Sequence, residues 1–257
     1  MNTWIDYTRR NDPAQEYYVS KLAKMITKQT PDVLCFWTKN PGFIVEHYTP
    51  MIKELVARGT IVLAQVTVNT GYGKLEPNVN TTDHGGLSDL CALLGPGRVR
   101  VRFDPIILGF TTPGMFERCV EACFYNGVER ITTNFLVPSY KGVGKLLKEK
   151  YGIDARVATN AKRVRVLRRI VNIAAIHGIE VAGCAEIYRD GIDGQVPGLI
   201  RAGCSDASWA QQFNPGLIFT QRSSRPGCQC CYSGDWGVYA SRGGPPCPHQ
   251  CVYCYAK

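Results

Sequence analysis

Short apolar runs rich in branched residues alternate along the chain with segments whose apolar residues recur at helical spacing. The runs predict β-strands and the intervening segments predict helices, several of which stop at a glycine. The predicted strands cover residues 3–8, 32–38, 60–68, 98–103, 130–137 and 179–184, and the predicted helices cover residues 14–27, 43–58, 86–94, 113–125 and 160–176. This alternation is typical of an α/β protein. It predicts a partial or closed (βα) barrel of about six parallel strands.

The pattern changes near residue 189. From there onward glycine, proline and cysteine become dense and the helical periodicity fades, which is typical of a segment ordered by metal rather than by its own apolar core. We therefore divide the chain into a barrel body, residues 1–188, and a cysteine-rich segment, residues 189–257, which is expected to bind iron and sulfide and to cap the mouth of the barrel.

Polar residues follow each predicted strand. Because the carboxyl ends of parallel strands meet at one mouth of a barrel, side chains from different strands can share a site there. Solvated loops are the alternative explanation, although six such clusters in succession favour a shared pocket. The catalytic candidates are Lys39, Asn40, Arg102 and Asp104, of which the last two are also candidates for binding a cofactor. Arg9 and Arg10 either bind a carboxylate or phosphate or are plain surface charges.

The end of the chain carries the strongest chemical signal. Cys247, Cys251 and Cys254 form a Cys-x3-Cys-x2-Cys loop, with Tyr253 directly before the third cysteine. Three thiolates in one short loop suit a soft metal or an iron–sulfur cluster. Because the loop supplies three ligands, one iron of a [4Fe–4S] cluster would stay open to a substrate or cofactor. A zinc knuckle is the alternative, but zinc sites usually pair two Cys or His hooks.

A second group of cysteines precedes this loop. We predict that four of them bind an auxiliary [4Fe–4S] cluster, with structural zinc as the alternative: Cys184, Cys204, Cys228 and Cys230. The role of Cys231 is left open by its position next to Cys230. His249 is either a fourth ligand of the terminal loop or a hydrogen-bonding residue. The other cysteines are interpreted as small buried hydrophobic residues.

Composition narrows the class of protein. The chain has 257 residues, 12 cysteines and a formal charge of +9. This cysteine content favours metal binding over a disulfide framework. There is no apolar run of membrane-spanning length and no signal-peptide pattern, so we expect a cytoplasmic protein without a membrane partner. The charge modestly favours an anionic partner such as nucleic acid or a phosphorylated metabolite. The basic residues of the helix at 160–176 form its solvated face or contact a phosphate backbone.

These motifs, in this order, resemble a bacterial family catalogued as domain of unknown function 1848. The resemblance spans nearly the whole chain, and its most specific stretches are Phe36-Trp37-Thr38-Lys39-Asn40-Pro41 and the terminal loop from Cys247 to Cys254. Two positions depart from the family pattern, since Gln250 stands where a glycine is expected and Cys231 is extra. The family resembles radical S-adenosylmethionine (SAM) proteins whose cluster loop lies at the C-terminus. We therefore expect a permuted barrel with adjacent termini, and a strand at residues 236–240 beside the N-terminal one.

The resemblance also implies an activity. A radical SAM enzyme binds a [4Fe–4S] cluster on Cys247, Cys251 and Cys254, cleaves SAM and generates a 5′-deoxyadenosyl radical that abstracts hydrogen from a substrate. The resemblance places Tyr253 against the adenosine, and it implies an external reductant of the flavodoxin or ferredoxin type. The substrate is unidentified, with nucleic acid and a phosphorylated metabolite as candidates. The alternatives are a zinc-stapled nucleic-acid-binding protein without catalysis and an electron-transfer iron–sulfur protein.

Overall fold

The computed structural model describes residues 1–9, 11–80, 82–155, 158–221 and 226–254. The strands are β1 (Trp4–Tyr7), β2 (Val33–Thr38), β3 (Ile61–Thr67), β4 (Val99–Ile106), β5 (Arg130–Phe135), β6 (Glu180–Ala182), β7 (Leu199–Ile200) and β8 (Gly234–Asp235). The helices are α1 (Glu16–Ile26), α2 (Pro41–Ala57), α3 (Leu87–Leu94), α4 (Pro113–Tyr125), α5 (Val143–Tyr151), α6 (Asn160–Ala175), α7 (Ala185–Arg189) and α8 (Ala207–Gln211). None of these helices has the length and hydropathy needed to cross a membrane.

All the strands named above lie in one parallel sheet, in the order β7-β6-β5-β4-β3-β2-β1-β8. Within the described residues the sheet is open, with β7 and β8 at its edges. The predicted α/β architecture and partial barrel are confirmed, with eight strands where about six were predicted. The two additional strands contain only two residues each, which is too short for any periodicity to show in the sequence. Helix α5 was also missed, because only Val143 and Leu147 are buried along it.

The two faces of the sheet bury different layers. On β2, Leu34 and Phe36 lie in the core shared with the surrounding helices, whereas Val33 and Cys35 lie in a second cluster with Trp209 of α8. This division follows from strand geometry, since successive side chains point to opposite faces. The cysteine-rich segment, to which α8 belongs, therefore covers the inner face of the sheet.

Charged side chains on this inner face hold the segment in place. Asp6 of β1 is fully buried and accepts hydrogen bonds from the hydroxyls of Ser205 (2.9 Å) and Ser233 (2.8 Å). Arg100 of β4 donates to Asp206 (2.9 Å). The segment thus contributes two strands to the sheet and fills part of the barrel interior. The division of the chain at residue 189 stays a prediction.

The end of the chain lies beside its beginning. Strand β8 pairs in parallel with β1, which agrees with the expected adjacency of the termini. The strand predicted at residues 236–240 is misplaced, because the observed strand ends at Asp235. The Asp235 carboxylate accepts a hydrogen bond from the Gly237 N–H (2.7 Å), which turns the backbone out of the sheet. The Trp236 N–H still reaches the Asp6 carbonyl (3.1 Å), so the chain continues toward the terminal loop alongside β1.

Two cysteine groups at the carboxyl ends of the strands

Asp12 connects the terminal loop to the ends of β1 and β2. It is buried, and its carboxylate accepts hydrogen bonds from the Lys39 N–H (2.7 Å) and the Thr38 hydroxyl (2.9 Å). On the other side, His249 Nε2 lies 2.9 Å from Asp12 Oδ2. Burial alone would raise the pKa of Asp12 and lower that of His249, but their mutual attraction outweighs it, so the Asp12 pKa is lowered and the His249 pKa is raised. His249 is therefore engaged as an ion-pair partner.

Two hydrogen bonds to backbone groups of the loop reinforce the Asp12–His249 ion pair. The Asn78 side chain donates to the Pro248 carbonyl (2.9 Å), and the Val252 N–H donates to the Leu75 carbonyl (2.8 Å). Both partners belong to the segment that follows β3. The loop is consequently held by groups that follow three adjacent strands, β1, β2 and β3.

Tyr253 is the most heavily anchored residue of the loop. It is buried, and its hydroxyl donates to Glu76 and accepts hydrogen bonds from Asn69 (2.9 Å) and Lys39 (3.2 Å). Lys39 also forms an ion pair with Glu76 (2.8 Å). The Tyr253 ring packs edge-to-face on Tyr72, with 6.1 Å between ring centroids. Burial, the Glu76 carboxylate and the Cys251 thiol raise the pKa of Tyr253 well above its usual value, so the hydroxyl keeps its proton.

The three thiols of the loop differ in their exposure to solvent. Cys251 is buried, and Cys247 and Cys254 are half-buried. Burial raises the pKa of Cys251 to about 12 and that of Cys247 to about 11, while the nearby Lys39 ammonium opposes the shift at Cys251. Because metal ligation requires thiolates, binding at this loop would release protons. Within the described residues, no group of three or more Cys, His, Asp and Glu side chains is spaced to hold a single metal ion.

The donor set of the loop fits an iron–sulfur cluster with one open iron. Its three cysteines are soft donors, and the other ligand candidate of the loop, His249, is paired with Asp12. The remaining position of such a cluster would therefore be left without a ligand from this loop. This fit concerns the type and number of donors and is independent of any metal geometry.

A cavity of about 280 Å³ lies at the carboxyl ends of β2 and β3, next to the side chains that hold the loop. Its wall includes Lys39, Asn69 and Glu76, the same side chains that hold the Tyr253 hydroxyl. Arg118 of α4 also lines the cavity and is exposed. Among the described residues Arg118 has no ion-pair partner, so its guanidinium is available to an anionic group.

The second cysteine group is assembled at the carboxyl ends of β6 and β7. Four cysteines share one cluster, three of them buried and Cys228 partly so: Cys184, Cys204, Cys228 and Cys230. The Cys204 N–H donates to the Cys230 sulfur (3.2 Å), and a hydrogen bond to Cys204 together with burial raises the pKa of Cys184. Cys231 lies elsewhere, in the cluster around Trp4 and Trp209. The structure therefore separates Cys231 from the four predicted ligands.

Arg102 and Arg9 face this second group. Arg102 donates to the Cys204 sulfur (3.0 Å) and pairs with the Asp104 carboxylate. Arg9 pairs with Asp6 (3.3 Å), and Arg10 lies outside the described residues. Burial alone would lower the pKa of both described arginines, but for Arg102 the Cys204 thiol and Asp104, and for Arg9 the Asp6 carboxylate, raise it above the usual value. Arg9 is thus directed into the protein and is not a plain surface charge.

The predicted catalytic residues fall into different places. Lys39 lies in the wall of the cavity, whereas Arg102 and Asp104 lie beside the second cysteine group. The Asn40 side chain accepts a hydrogen bond from the Phe43 N–H (3.1 Å) and so caps the N-terminus of α2. Their catalytic roles stay predictions.

Sequence reasoning did not single out Glu76, Arg118 or the pairing of Asp12 with His249. Glu76 lies between predicted elements, and Arg118 occupies a helix position that reads as an ordinary solvated face. Only the carboxyl-end position of Asp12 gave a signal, as one of the polar residues that follow the first strand.

Comparisons with known proteins give a family and remote structural similarities. A family model described as domain of unknown function (DUF1848) matches residues 6–256. No curated protein matches the chain. Deoxyribose phosphate aldolase from Aeropyrum pernix is 15% identical, with a TM-score of 0.38 over 79% of this chain and 76% of that one. The β-mannanase from Streptomyces thermolilacinus is 13% identical, with a TM-score of 0.40 over 89% of this chain and 82% of that one. Because the identities and TM-scores are this low, neither structure bears on the reaction.

Proposed function

The chain belongs to the DUF1848 family, and we propose that it is a radical SAM enzyme. In this proposal Cys247, Cys251 and Cys254 bind a [4Fe–4S] cluster with one iron open to SAM. When bound and reduced, such a cluster supplies the electron that cleaves SAM, and the resulting 5′-deoxyadenosyl radical abstracts hydrogen from the substrate. The electron comes from an external reductant of the flavodoxin or ferredoxin type.

The observation that carries the proposal is the position of the terminal loop. Asp12 and Glu76 hold the loop, with its three cysteines, at the carboxyl ends of β1 to β3. Active sites of parallel barrels lie at this end of the strands. The cavity gives a small molecule a place to bind next to Lys39, Asn69 and Glu76, the side chains that hold Tyr253 of the loop.

Residues of the chain would bind and orient the reactants. The Lys39 ammonium and the Glu76 carboxylate neutralise each other in the wall of the cavity, so they leave no net charge there. Arg118 then supplies the unpaired positive charge, which suits a carboxylate or phosphate. The volume of the cavity is close to the lower end for small-molecule sites, which begins at about 300 Å³. These features favour a small anionic metabolite as the substrate.

Nucleic acid stays a second candidate for the substrate. Of the basic residues on α6, Arg163 pairs with Asp190 (2.5 Å) and Arg168 donates to the Gln195 carbonyl (2.9 Å). These two guanidiniums are bound within the chain, so fewer charges of the helix remain for a phosphate backbone. If nucleic acid does bind at α6, its affinity should fall steeply with salt concentration.

The proposal is tested anaerobically on the full chain reconstituted with iron and sulfide. Iron and sulfide are measured per chain, and EPR spectra of the dithionite-reduced protein are recorded with and without SAM. We expect SAM to shift the spectrum and 5′-deoxyadenosine to accumulate. A spectrum indifferent to SAM would instead identify an electron carrier. Bound zinc without iron would identify a zinc-stapled protein, and either result would contradict the proposal.

Two substitutions at Tyr253 separate its hydroxyl from its ring. Tyr253→Phe removes a buried hydroxyl with three polar partners, so we expect a loss of about 1–3 kcal/mol in the free energy of unfolding with little change in the Kd for SAM. Tyr253→Leu removes the ring as well. If the ring stacks on the adenosine, worth about 1–3 kcal/mol per base, the Kd should rise by about tenfold or more. Equilibrium dialysis measures the Kd for SAM of both variants, and an unchanged Kd for Tyr253→Leu would eliminate the stacking role.

A further inference from the structure

We propose that Cys184, Cys204, Cys228 and Cys230 bind a second [4Fe–4S] cluster, stabilised by the neighbouring guanidiniums of Arg9 and Arg102. The site is separate from the terminal loop. Its existence does not depend on the proposed function, although the choice of iron over zinc rests partly on it.

Glycines allow the backbone segments that carry these cysteines to approach one another. A Cβ atom at Gly203 would lie 2.6 Å from the Gln229 carbonyl oxygen and 2.8 Å from Cys230 Cα. A Cβ at Gly227, where φ is +76°, would lie 2.6 Å from the Ala185 carbonyl oxygen. No side chain fits at either position without moving the backbone. Glycine next to Cys204 and next to Cys228 therefore sets the close spacing of the three segments.

The positive charges next to the cysteines favour their negatively charged thiolate form. Arg9 and Arg102 lie over the Trp37 ring, with 4.6 Å and 5.0 Å from their guanidinium carbons to the ring centroid. Trp37 also packs directly against the cysteine cluster. A 2+ cluster on four thiolates sums to a charge of −2. Arg102 donates to the Cys204 sulfur and Arg9 lies over the same Trp37 ring, so both guanidiniums would stabilise that charge, although each is shared with a carboxylate, Asp104 and Asp6.

Hydrogen bonds to the sulfurs favour a redox-active cluster over zinc. Cys204 accepts a hydrogen bond from Arg102, and Cys230 accepts one from the Cys204 N–H. Donors of this kind raise the reduction potential of an iron–sulfur cluster by stabilising its more negative reduced form. Zinc has no redox change for such donors to tune.

A chain of hydrogen bonds also leads from this group to the terminal loop. Arg102 pairs with the Asp104 carboxylate, and the Asp104 N–H donates to the Asn69 side-chain oxygen (2.9 Å). Asn69 in turn donates to the Tyr253 hydroxyl (2.9 Å), next to Cys254. The two cysteine groups thus lie along one network at the same end of the sheet. A redox cluster at the second group would lie beside the terminal one.

Metal analysis of three variants tests the proposal in the full chain, reconstituted anaerobically. The triple variant C247A/C251A/C254A removes the loop thiols, Cys204→Ala removes one ligand of the second group, and Cys231→Ala is the matched control. We expect about eight irons in the wild type and in Cys231→Ala, and about four in the triple variant and in Cys204→Ala. Zinc should be absent from all of them.

The outcomes distinguish the two sites. About four irons in the wild type and almost none in the triple variant would overturn the second cluster while leaving the proposed function intact. About four irons in both would support the second cluster and contradict the terminal one. One zinc per chain that persists in the triple variant and disappears in Cys204→Ala would overturn iron at the second group. The triple variant keeps the test valid even if Cys204→Ala fails to fold.

The role of Arg102 is tested on the triple variant by redox titration with dithionite, which adds one electron to the 2+ cluster. We expect Arg102→Met to lower the midpoint potential, because a cation that stabilises the reduced form is lost. Arg102→Lys should keep the potential close to the parent value, and Arg58→Met, which removes a cation paired with Glu54 at the end of α2, should not change it. An unchanged potential in Arg102→Met would overturn the stabilising role of Arg102.

Discussion

Replacing Cys251 with alanine is expected to abolish SAM cleavage and to lower the iron content by about four atoms per chain. Cys251 is the most buried of the three loop thiols, at 5% exposure, so no solvent ligand can readily take its place. Without a complete cluster the reaction loses its source of electrons. The rate of 5′-deoxyadenosine formation should therefore fall to the uncatalysed level, a loss of about 10⁶-fold or more.

The matched control is Cys91→Ala. Cys91 is similarly buried, at 6% exposure, but it lies on α3 in the apolar core and outside both cysteine groups. This variant should keep its iron and its rate of SAM cleavage. Anaerobic iron analysis and chromatography of 5′-deoxyadenosine measure both variants under the same conditions. Normal SAM cleavage by Cys251→Ala would show that the terminal loop does not carry the catalytic cluster.

The alternation of arginine and valine in β4 is visible in the sequence. A parallel strand covered on both faces is usually apolar throughout, so arginine at every second position between residues 98 and 103 indicates a polar inner face. In the structure Val101 lies in the core, whereas Arg100 reaches Asp206 and Arg102 reaches Cys204. The alternation places Arg100 and Arg102 on one face of the strand, opposite Val101. Their partners could not be predicted, because they come from the segment without periodicity.

The cysteine spacing predicted which cysteines lie together, but it did not predict the residues around them. The four cysteines expected in a second group do lie together, and Cys231 is turned away because neighbouring residues of an extended segment point to opposite sides. The extended conformation at Cys231 comes from an isolated bridge to Gln221. A single bridge leaves no pattern in the sequence, so the alternation could not be assigned in advance.

The contacts that hold the terminal loop could not be predicted from the sequence, for a different reason. Asp12 and His249 lie near opposite ends of the chain, as do Lys39 and Tyr253, and each pair meets only once β8 lies beside β1. No local propensity or spacing connects such positions. The sequence predicted that the termini are adjacent, and the structure adds which side chains make the adjacency specific.

We expect the substitution Asp12→Asn to detach the terminal loop while leaving the barrel folded. The change keeps the size of the side chain but removes the charge that compensates His249, and both residues are only 3% exposed. Breaking a buried ion pair by neutralising one partner is expected to lower the free energy of unfolding by about 3–5 kcal/mol. The new amide also faces the Lys39 N–H, so one hydrogen bond to the end of β2 is weakened or lost.

We also expect a loss of function that the loss of stability does not account for. With the loop no longer held beside the cavity, SAM should stop shifting the EPR spectrum even in samples that retain iron. The control is Asp32→Asn, whose carboxylate accepts hydrogen bonds from the Thr3 N–H (2.7 Å) and the Asn2 side chain (2.9 Å) at the amino ends of the strands. It should cost about 1–3 kcal/mol and leave the SAM-dependent shift intact. Urea unfolding and EPR measure the two effects separately, and an unchanged SAM response in folded Asp12→Asn would show that this ion pair does not position the loop.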